Sequence, residues 1–262
     1  METDRILENF YSMEEEDKRL VSQHGLVEYK TTMHYIDKYI KPGSRILEVG
    51  AGTGRYSHAL AREGYTVDAV ELTKHNIEIF HQNTEPGEKI RIFQGNAMDL
   101  SMFEDGGYDL TLVLGPLYHL FCEQDKQTAL REAIRVTKQG GVVFTAYCIS
   151  DASVLDYGFQ KGHIHELIEK KMLDTESFKA FSKPSDLFEL HRKEDIDELM
   201  KKHAVTRLHY VAADGYTRHM SETVDSMDRA TFETYLKYHY AVCERPDMVG
   251  ISHHVLDIFR KD

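Results

Sequence analysis

Apolar positions along this chain follow two periods that take turns. Between Arg45 and Cys148, short and nearly continuous apolar runs alternate with longer stretches whose apolar residues recur every three or four positions. RILEVG reads as a strand and TGRYSHALAREG as a helix closed by Gly64. YTVDAVEL is a second strand, followed by the helix KHNIEIFHQN, which ends near Pro86-Gly87. KIRIFQGNA and YDLTLVLG are the third and fourth strands. A helix from Glu123 to Thr137 stops before Gly140-Gly141, and GVVFTAYC is the fifth strand. Strand and helix alternating at this spacing imply right-handed crossovers and a parallel sheet with helices on both faces. The runs LTLVL and VVFTA suit strands covered on both sides.

Outside that block the pattern changes. In residues 1–41, Ile6, Leu7, Phe10 and Tyr11, then Tyr29, Met33, Ile36 and Ile40, keep helical spacing until Pro42-Gly43 turns the chain. Residues 151–187 are helical in pattern, interrupted at Lys183-Pro184, and read as an insertion over the carboxyl edge of the sheet. Regularity returns with the helix KEDIDELMKKH, the strand AVTRLHYVAADG, the helix ATFETYLKYHYAVCE and the strand GISHHVLDIFRK. The expected division is an N-terminal helical lid (1–41), a core (42–150 and 188–262) and a helical cap (151–187).

Composition narrows the function. The 262 residues carry a formal charge of −12, which argues against a nucleic-acid surface and favours a small-molecule partner. Three scattered cysteines and no C-x-x-C pair give neither a disulfide framework nor a structural zinc signature, so no metal is expected. The N-terminus is acidic and amphipathic rather than apolar, and no window is long enough to span a bilayer. The expected location is the cytoplasm.

The first strand runs into EVGAGTG, which places Gly50, Gly52 and Gly54 before a helix. The dinucleotide fingerprint is G-x-G-x-x-G, which sets a pyrophosphate on a helix N-terminus. Here the spacing is G-x-G-x-G, and Glu48 stands two residues before the first glycine. A carboxylate there repels phosphate and attracts an ammonium group. Glu71 closes the second strand, 21 residues past Gly50, where an acid can accept from both ribose hydroxyls. GNAMDL ends the third strand. Asn96 or Asp99 could bond the exocyclic amine of an adenine, and Asp99 could equally serve as a helix cap.

Together, EVGAGTG, VELTKHN, GNAMDL and YDLTLVLGPLYHL resemble the successive motifs of class I S-adenosylmethionine-dependent methyltransferases, over about residues 40–150. The C-terminal AVCERPDMVGISHHVLDIFRK resembles the end of bacterial small-molecule methyltransferases of that class. The resemblance implies a Rossmann-like, seven-stranded, mostly parallel α/β sheet whose last strand is antiparallel. It implies S-adenosylmethionine as cofactor and S-adenosylhomocysteine as product. Glu48 with the backbone of Gly50, Ala51 and Gly52 would hold the methionine part, and Glu71 the ribose. Leu72, Asn96, Ala97 and Met98 would surround the adenine, and Leu114 and Gly115 would lie near the methyl. Thr53, Gly54, Tyr56, Asn76 and Tyr29 complete the implied cofactor set.

The run after the fourth strand, GPLYHL, lacks the Asp/Asn-Pro-Pro-aromatic signature of adenine or glutamine amino-methylation. Cys122 lacks the proline-cysteine setting of cytosine methylation and reads as a packing residue at a helix start. Tyr118 and His119 sit at the lip of the expected cavity. His119, with an ordinary pKa of about 6.5, is the candidate general base, or else it packs against the cofactor loop. His163 and His165 lack metalloprotease spacing, and His253-His254 on a strand point to opposite faces. Residues 10–32 are expected to fold over the cofactor. Two other readings stand beside the methyltransferase: a cofactor- or partner-binding protein without catalysis, and an NAD(P)-dependent oxidoreductase.

Overall fold

The computed structural model describes Leu7, Glu8, Phe10 and residues 22–262. Eight strands form one sheet: β1 Arg45–Val49, β2 Thr66–Glu71, β3 Ile90–Gln94, β4 Tyr108–Val113, β5 Thr137–Ile149, β6 Leu190–His191, β7 Val205–Ala212 and β8 His254–Lys261. The order is β3-β2-β1-β4-β5-β8-β7, with the two-residue β6 beside β5. β1 to β5 run parallel, whereas β8 is antiparallel to both β5 and β7. The seven-stranded expectation therefore holds with one small addition. β4 leaves β5 at Thr145, and β6 pairs with Cys148 and Ile149 beyond that point. A two-residue strand carries no periodicity to read, which leaves it invisible to pattern.

Six principal helices are α1 Gln23–Ile36, α2 Arg55–Arg62, α3 Lys74–Asn83, α4 Glu123–Val136, α5 Lys193–Met200 and α6 Arg229–Val242. Ser22 caps α1 by accepting from the Gly25 N–H at 3.2 Å. Successive residues Ile46, Leu47, Glu48 and Val49 of β1 are all buried, so both faces of the sheet are covered at its centre. The main core runs from Tyr35 and Ile36 of α1 through β1, β4 and β5 to Ile258 and Phe259 of β8.

The insertion departs from its helical expectation. Ser150–Ser153 continues as a π-helix over Val154–Gln160, and Ile164–Glu169 is helical, but between Lys171 and the 3₁₀ turn Pro184–Asp186 the chain is not. There Asp174 Oδ1 accepts from the N–H groups of Glu176 and Ser177 and from the Ser177 hydroxyl, a local turn that competes with helix. Leu173 bridges Ala180, and both join Val154 and Leu167 in a small apolar cluster of their own. Among the described residues, no helix is long and apolar enough to cross a membrane.

Candidate active site

A cavity of about 370 Å³ opens at the carboxyl ends of β1, β2, β3 and β4. The glycine turn after β1 forms its floor, with Gly50, Gly52 and Gly54 all at positive φ (75°, 56° and 92°). A Cβ on Gly50 would lie 2.6 Å from Pro116 Cδ, so the β1 and β4 loops touch there. One on Gly54 would lie 2.5 Å from the Phe80 ring, while Gly52 meets nothing within 4 Å. Gly52 is thus the position where bare backbone faces open space.

Four of the turn's N–H groups are already spent inside the chain. The N–H groups of Gly50 and Ala51 both donate to the Val70 carbonyl, at 2.8 and 3.0 Å. That of Gly52 donates to Glu71 Oε2 at 2.8 Å, and that of Gly54 to the Ala51 carbonyl at 2.9 Å. A pyrophosphate needs such N–H groups; an ammonium needs acceptors instead. The cradle therefore suits a cation.

Two carboxylates flank it. Glu71 Oε1 accepts from the Thr73 N–H and hydroxyl, both at 2.9 Å, and from Asn76 Nδ2 at 3.3 Å. Oε2 takes only the Gly52 N–H among the bonds within the described residues, so it keeps capacity for a hydroxyl of a ligand. Glu48 is buried and accepts a short hydrogen bond from the Ser57 hydroxyl. Burial pushes its carboxyl up to about 8 against the lowering effect of Ser57, and the Glu71 charge adds to the rise. Glu48 is thus a neutral acid near pH 7 that a neighbouring ammonium would convert to carboxylate.

On the third-strand side, Asn96, Ala97 and Met98 line the cavity opposite Leu72. Asn96 Oδ1 accepts from the Met98 N–H at 3.0 Å, which fixes its amide plane. Asp99 turns away to accept from the Ser101 N–H at 3.0 Å and lies outside the lining. No helix follows it, so it closes a turn rather than capping a helix.

The opposite wall is the 3₁₀ turn Pro116–His119. His119 Nδ1 donates to the Leu187 carbonyl at 2.8 Å, since a carbonyl can only accept; Nε2 therefore carries the lone pair. Burial lowers His119 to about 4, partly opposed by that carbonyl, so the ring is neutral at physiological pH. Leu187 belongs to a strap from the insertion. Its φ is +70°, and the Phe188 N–H reaches back to the Asp186 carbonyl at 2.9 Å, which makes a γ-turn of the strained hand. The Phe188 ring packs 5.2 Å from His119 and 5.8 Å from Tyr118, and the Glu189 N–H donates to the Tyr118 carbonyl at 2.7 Å.

Of the residues expected at the site, Glu48, Gly50, Ala51, Gly52, Thr53, Tyr56, Glu71, Leu72, Asn76, Asn96, Ala97, Met98, Leu114, Gly115, Tyr118 and His119 all line the one cavity. Gly54 does not: it starts α2 in close contact with Phe80 and His58. Tyr29 stands one layer out, its ring 5.1 Å from Tyr56 and beneath the Arg55 guanidinium. Cys122 precedes α4 as expected but also faces the cavity. Sequence reasoning missed Arg55, Thr73, Phe121, Asp125 and Pro184. Arg55 directly follows the EVGAGTG motif and Thr73 lies within VELTKHN, so both were legible, whereas Pro184 is brought in by the insertion and had no signal. Leu7 also lines the cavity, and Phe10 meets Phe188 edge-on at 5.9 Å. Tyr11 lies outside the described residues. His163 pairs with Glu166 at 2.9 Å on a short surface helix.

Comparison with known proteins agrees with this geometry. Residues 47–145 match the family model of the methyltransferase domain. The chain is 25% identical over 169 residues to a ubiquinone biosynthesis O-methyltransferase of Vibrio parahaemolyticus, covering 64% of this chain and 68% of that one. It is 31% identical over 140 residues to a demethylmenaquinone methyltransferase of Bacillus cereus, covering 52% and 55% of the two chains. The N-methyltransferase NodS of Bradyrhizobium japonicum, solved with S-adenosylhomocysteine, shares the fold at a TM-score of 0.60 and 14% identity, over 98% of this chain and 97% of that one. The ordered motifs, the matched region and the cavity they build identify residues 47–145 as a class I S-adenosylmethionine-dependent methyltransferase domain.

Proposed function

We propose that the cavity holds S-adenosylmethionine extended from Glu48 to Met98 and that the enzyme methylates a small, largely apolar acceptor. The observation that carries this reading is the donor-poor glycine turn between two carboxylates, which fits an ammonium at one end and a ribose at the other. Glu48 holds the ammonium, Glu71 Oε2 accepts from the ribose, and Leu72, Asn96 and Met98 bracket the adenine. Bound, the cofactor supplies a methyl already activated on a sulfonium, so the protein's task is chiefly to hold the acceptor in line.

The acceptor side is built from Leu114, Pro116, Leu120 and Phe121, with Asp125 as its one acid among the described lining residues. Such walls favour an aromatic or otherwise apolar ring over a polyionic acceptor. The named roles of the curated relatives, in ubiquinone biosynthesis and on demethylmenaquinone, support that class. His119 Nε2 accepts the hydrogen of the acceptor's hydroxyl or amine and orients it. Residues 151–187 serve as the acceptor cap through Pro184 and the Leu187 strap, and the N-terminal segment covers the cofactor through Leu7 and Phe10.

Titration calorimetry of the purified chain with S-adenosylmethionine, S-adenosylhomocysteine and NAD tests the cofactor assignment. Binding of the first two and not the third is expected; the reverse order of affinities overturns it. Methyl transfer to a panel of hydroquinones and phenols tests the acceptor class. Turnover confined to polyanionic acceptors overturns that part alone.

A further inference from the structure

The strap that packs on His119 is tied down by a charge pair, neither member of which lines the cavity. Successive residues of the strap take different partners. The Leu187 carbonyl accepts from His119 Nδ1 at 2.8 Å, and two residues on the Glu189 N–H donates to the Tyr118 carbonyl at 2.7 Å. Between them the Phe188 ring packs on both Tyr118 and His119. The Glu189 side chain reaches α4 instead, where Oε2 accepts from Lys126 Nζ. Leu190 and His191 then join β5 as the short strand β6.

Three observations set this pair apart from an ordinary surface ion pair. First, Lys126 is only 5% exposed, and an ammonium so buried is costly unless a carboxylate meets it, so the pair fixes where Glu189 stands. Second, Lys126 lies seven residues past His119 on the helix that the Pro116–His119 turn feeds. One segment therefore meets the strap through the Tyr118 carbonyl, the His119 ring and the Lys126 ammonium, and Glu189 supplies the strap's side of two of these contacts. Third, no neighbour competes for Glu189. His191 Nε2 stands 3.5 Å from Glu189 Oε2, but burial, aided by the Lys126 charge, lowers that ring to about 4 and leaves it neutral. The other cation acting on Glu189, Lys179, is bonded to both oxygens of Asp195 at 2.7 Å.

We propose that Lys126 and Glu189 are positioning residues for His119: their ion pair holds the strap in the register that sets the Leu187 carbonyl against Nδ1. A carbonyl only accepts, so this contact keeps the ring's proton on Nδ1 and its lone pair on Nε2, the nitrogen the proposed function uses. Without the pair the strap slides, Nδ1 loses its acceptor, and the neutral ring is released to the tautomer that carries its proton on Nε2. The effect on rate rests on the proposed use of His119; the effect on the ring does not. The two partners stand 63 positions apart, so no spacing motif announces them.

The test reads the tautomer directly, in the full chain labelled with nitrogen-15 histidine, by proton–nitrogen correlation spectra in which the His119 signals are those missing from His119→Gln. Wild type is expected to show the Nδ1–H form alone. Lys126→Met should show a mixture of both forms and lower kcat roughly tenfold, with the acceptor KM and the Kd for S-adenosylhomocysteine within about twofold of wild type. Because Lys126→Met strands a buried acid, the double variant Lys126→Met/Glu189→Gln is measured beside it; with no charge left at the contact, it should melt cooperatively and show the same mixture. Lys138→Met, which breaks an ion pair at the start of β5, should leave the ring as in wild type. A double variant that keeps the pure Nδ1–H form overturns the proposal. So does a wild-type ring protonated on Nε2, or an equal mixture in Lys138→Met. A shifted tautomer with unchanged kcat supports the positioning and removes His119 from the proposed reaction, so the two readings fail separately.

Discussion

Replacing Glu48 with glutamine separates the demands of folding from those of cofactor binding. The substitution keeps the shape and can still accept from the Ser57 hydroxyl, but it removes the proton equilibrium. In the folded chain the Glu48 carboxyl sits at about 8 against an ordinary 4.5, chiefly because it is buried. Its folded value is raised, so the stabilising contribution of the protonated form is fully present below the ordinary value and is lost as pH rises through the folded one. Between those limits wild-type stability should fall relative to Glu48→Gln by about 1.4 kcal/mol per pH unit, a total on the order of 5 kcal/mol. Urea denaturation of both proteins from about pH 5 to pH 8 measures the difference directly. Binding should run the other way. An ammonium beside Glu48 requires the carboxylate, so wild-type affinity for S-adenosylmethionine should climb toward pH 8, while the variant binds weakly with no such slope. Parallel stability curves for the two proteins would refute the reasoning, because Glu48 would then be ionised throughout.

The glycine turn gives a matched pair. Gly50→Ala drives a Cβ to 2.6 Å from Pro116 at φ +75° and should destabilise the fold by about 2–5 kcal/mol in denaturant melts. Gly52→Ala meets no protein atom within 4 Å and should cost only about 1–2 kcal/mol of stability, yet weaken cofactor binding by calorimetry because its methyl enters the ligand's space. His119→Gln should leave the Kd for S-adenosylhomocysteine within about twofold and lower kcat by roughly 10²-fold with the true acceptor. Since the ring is already neutral above about pH 4, the wild-type rate should show no inflection near pH 6.5 from this residue. Hydrogen exchange over Gln23–Ile36 should slow when cofactor is added if the N-terminal segment covers it.

Much of this architecture was written locally. The β1–β5 alternation was legible because parallel strands buried on both faces read as unbroken apolar runs, and Gly64 and Pro86-Gly87 punctuated the helices between them. Glu48, Glu71 and Asn96 were legible because each sits at a strand end, where the topology gathers side chains into one crevice. What the sequence could not reveal depends on partners distant in the chain. That the N–H groups of Gly50 and Ala51 are taken by Val70 is a property of the β1–β2 register, not of the glycine motif. The low basicity of His119 arises from burial beneath Leu187 and Phe188, which lie almost seventy positions on. The non-helical half of the insertion followed from Asp174, whose side chain offers the backbone a turn that periodicity does not register.

The tight bend at Leu187 bears on traffic through the enzyme. One face of the chamber is framed by regular strand ends and a turn whose amides are bonded to a neighbouring strand. The other is shut by a peptide held in a rare, uphill backbone shape, with aromatic rings and two hydrogen bonds as its latch. Release of that latch returns the stored conformational energy, so opening costs less than the count of its contacts suggests. The two ends of the chamber therefore differ in stiffness: one is a socket braced by a neighbouring strand, and the other, which the proposed function gives to the acceptor, is closed by a sprung strap.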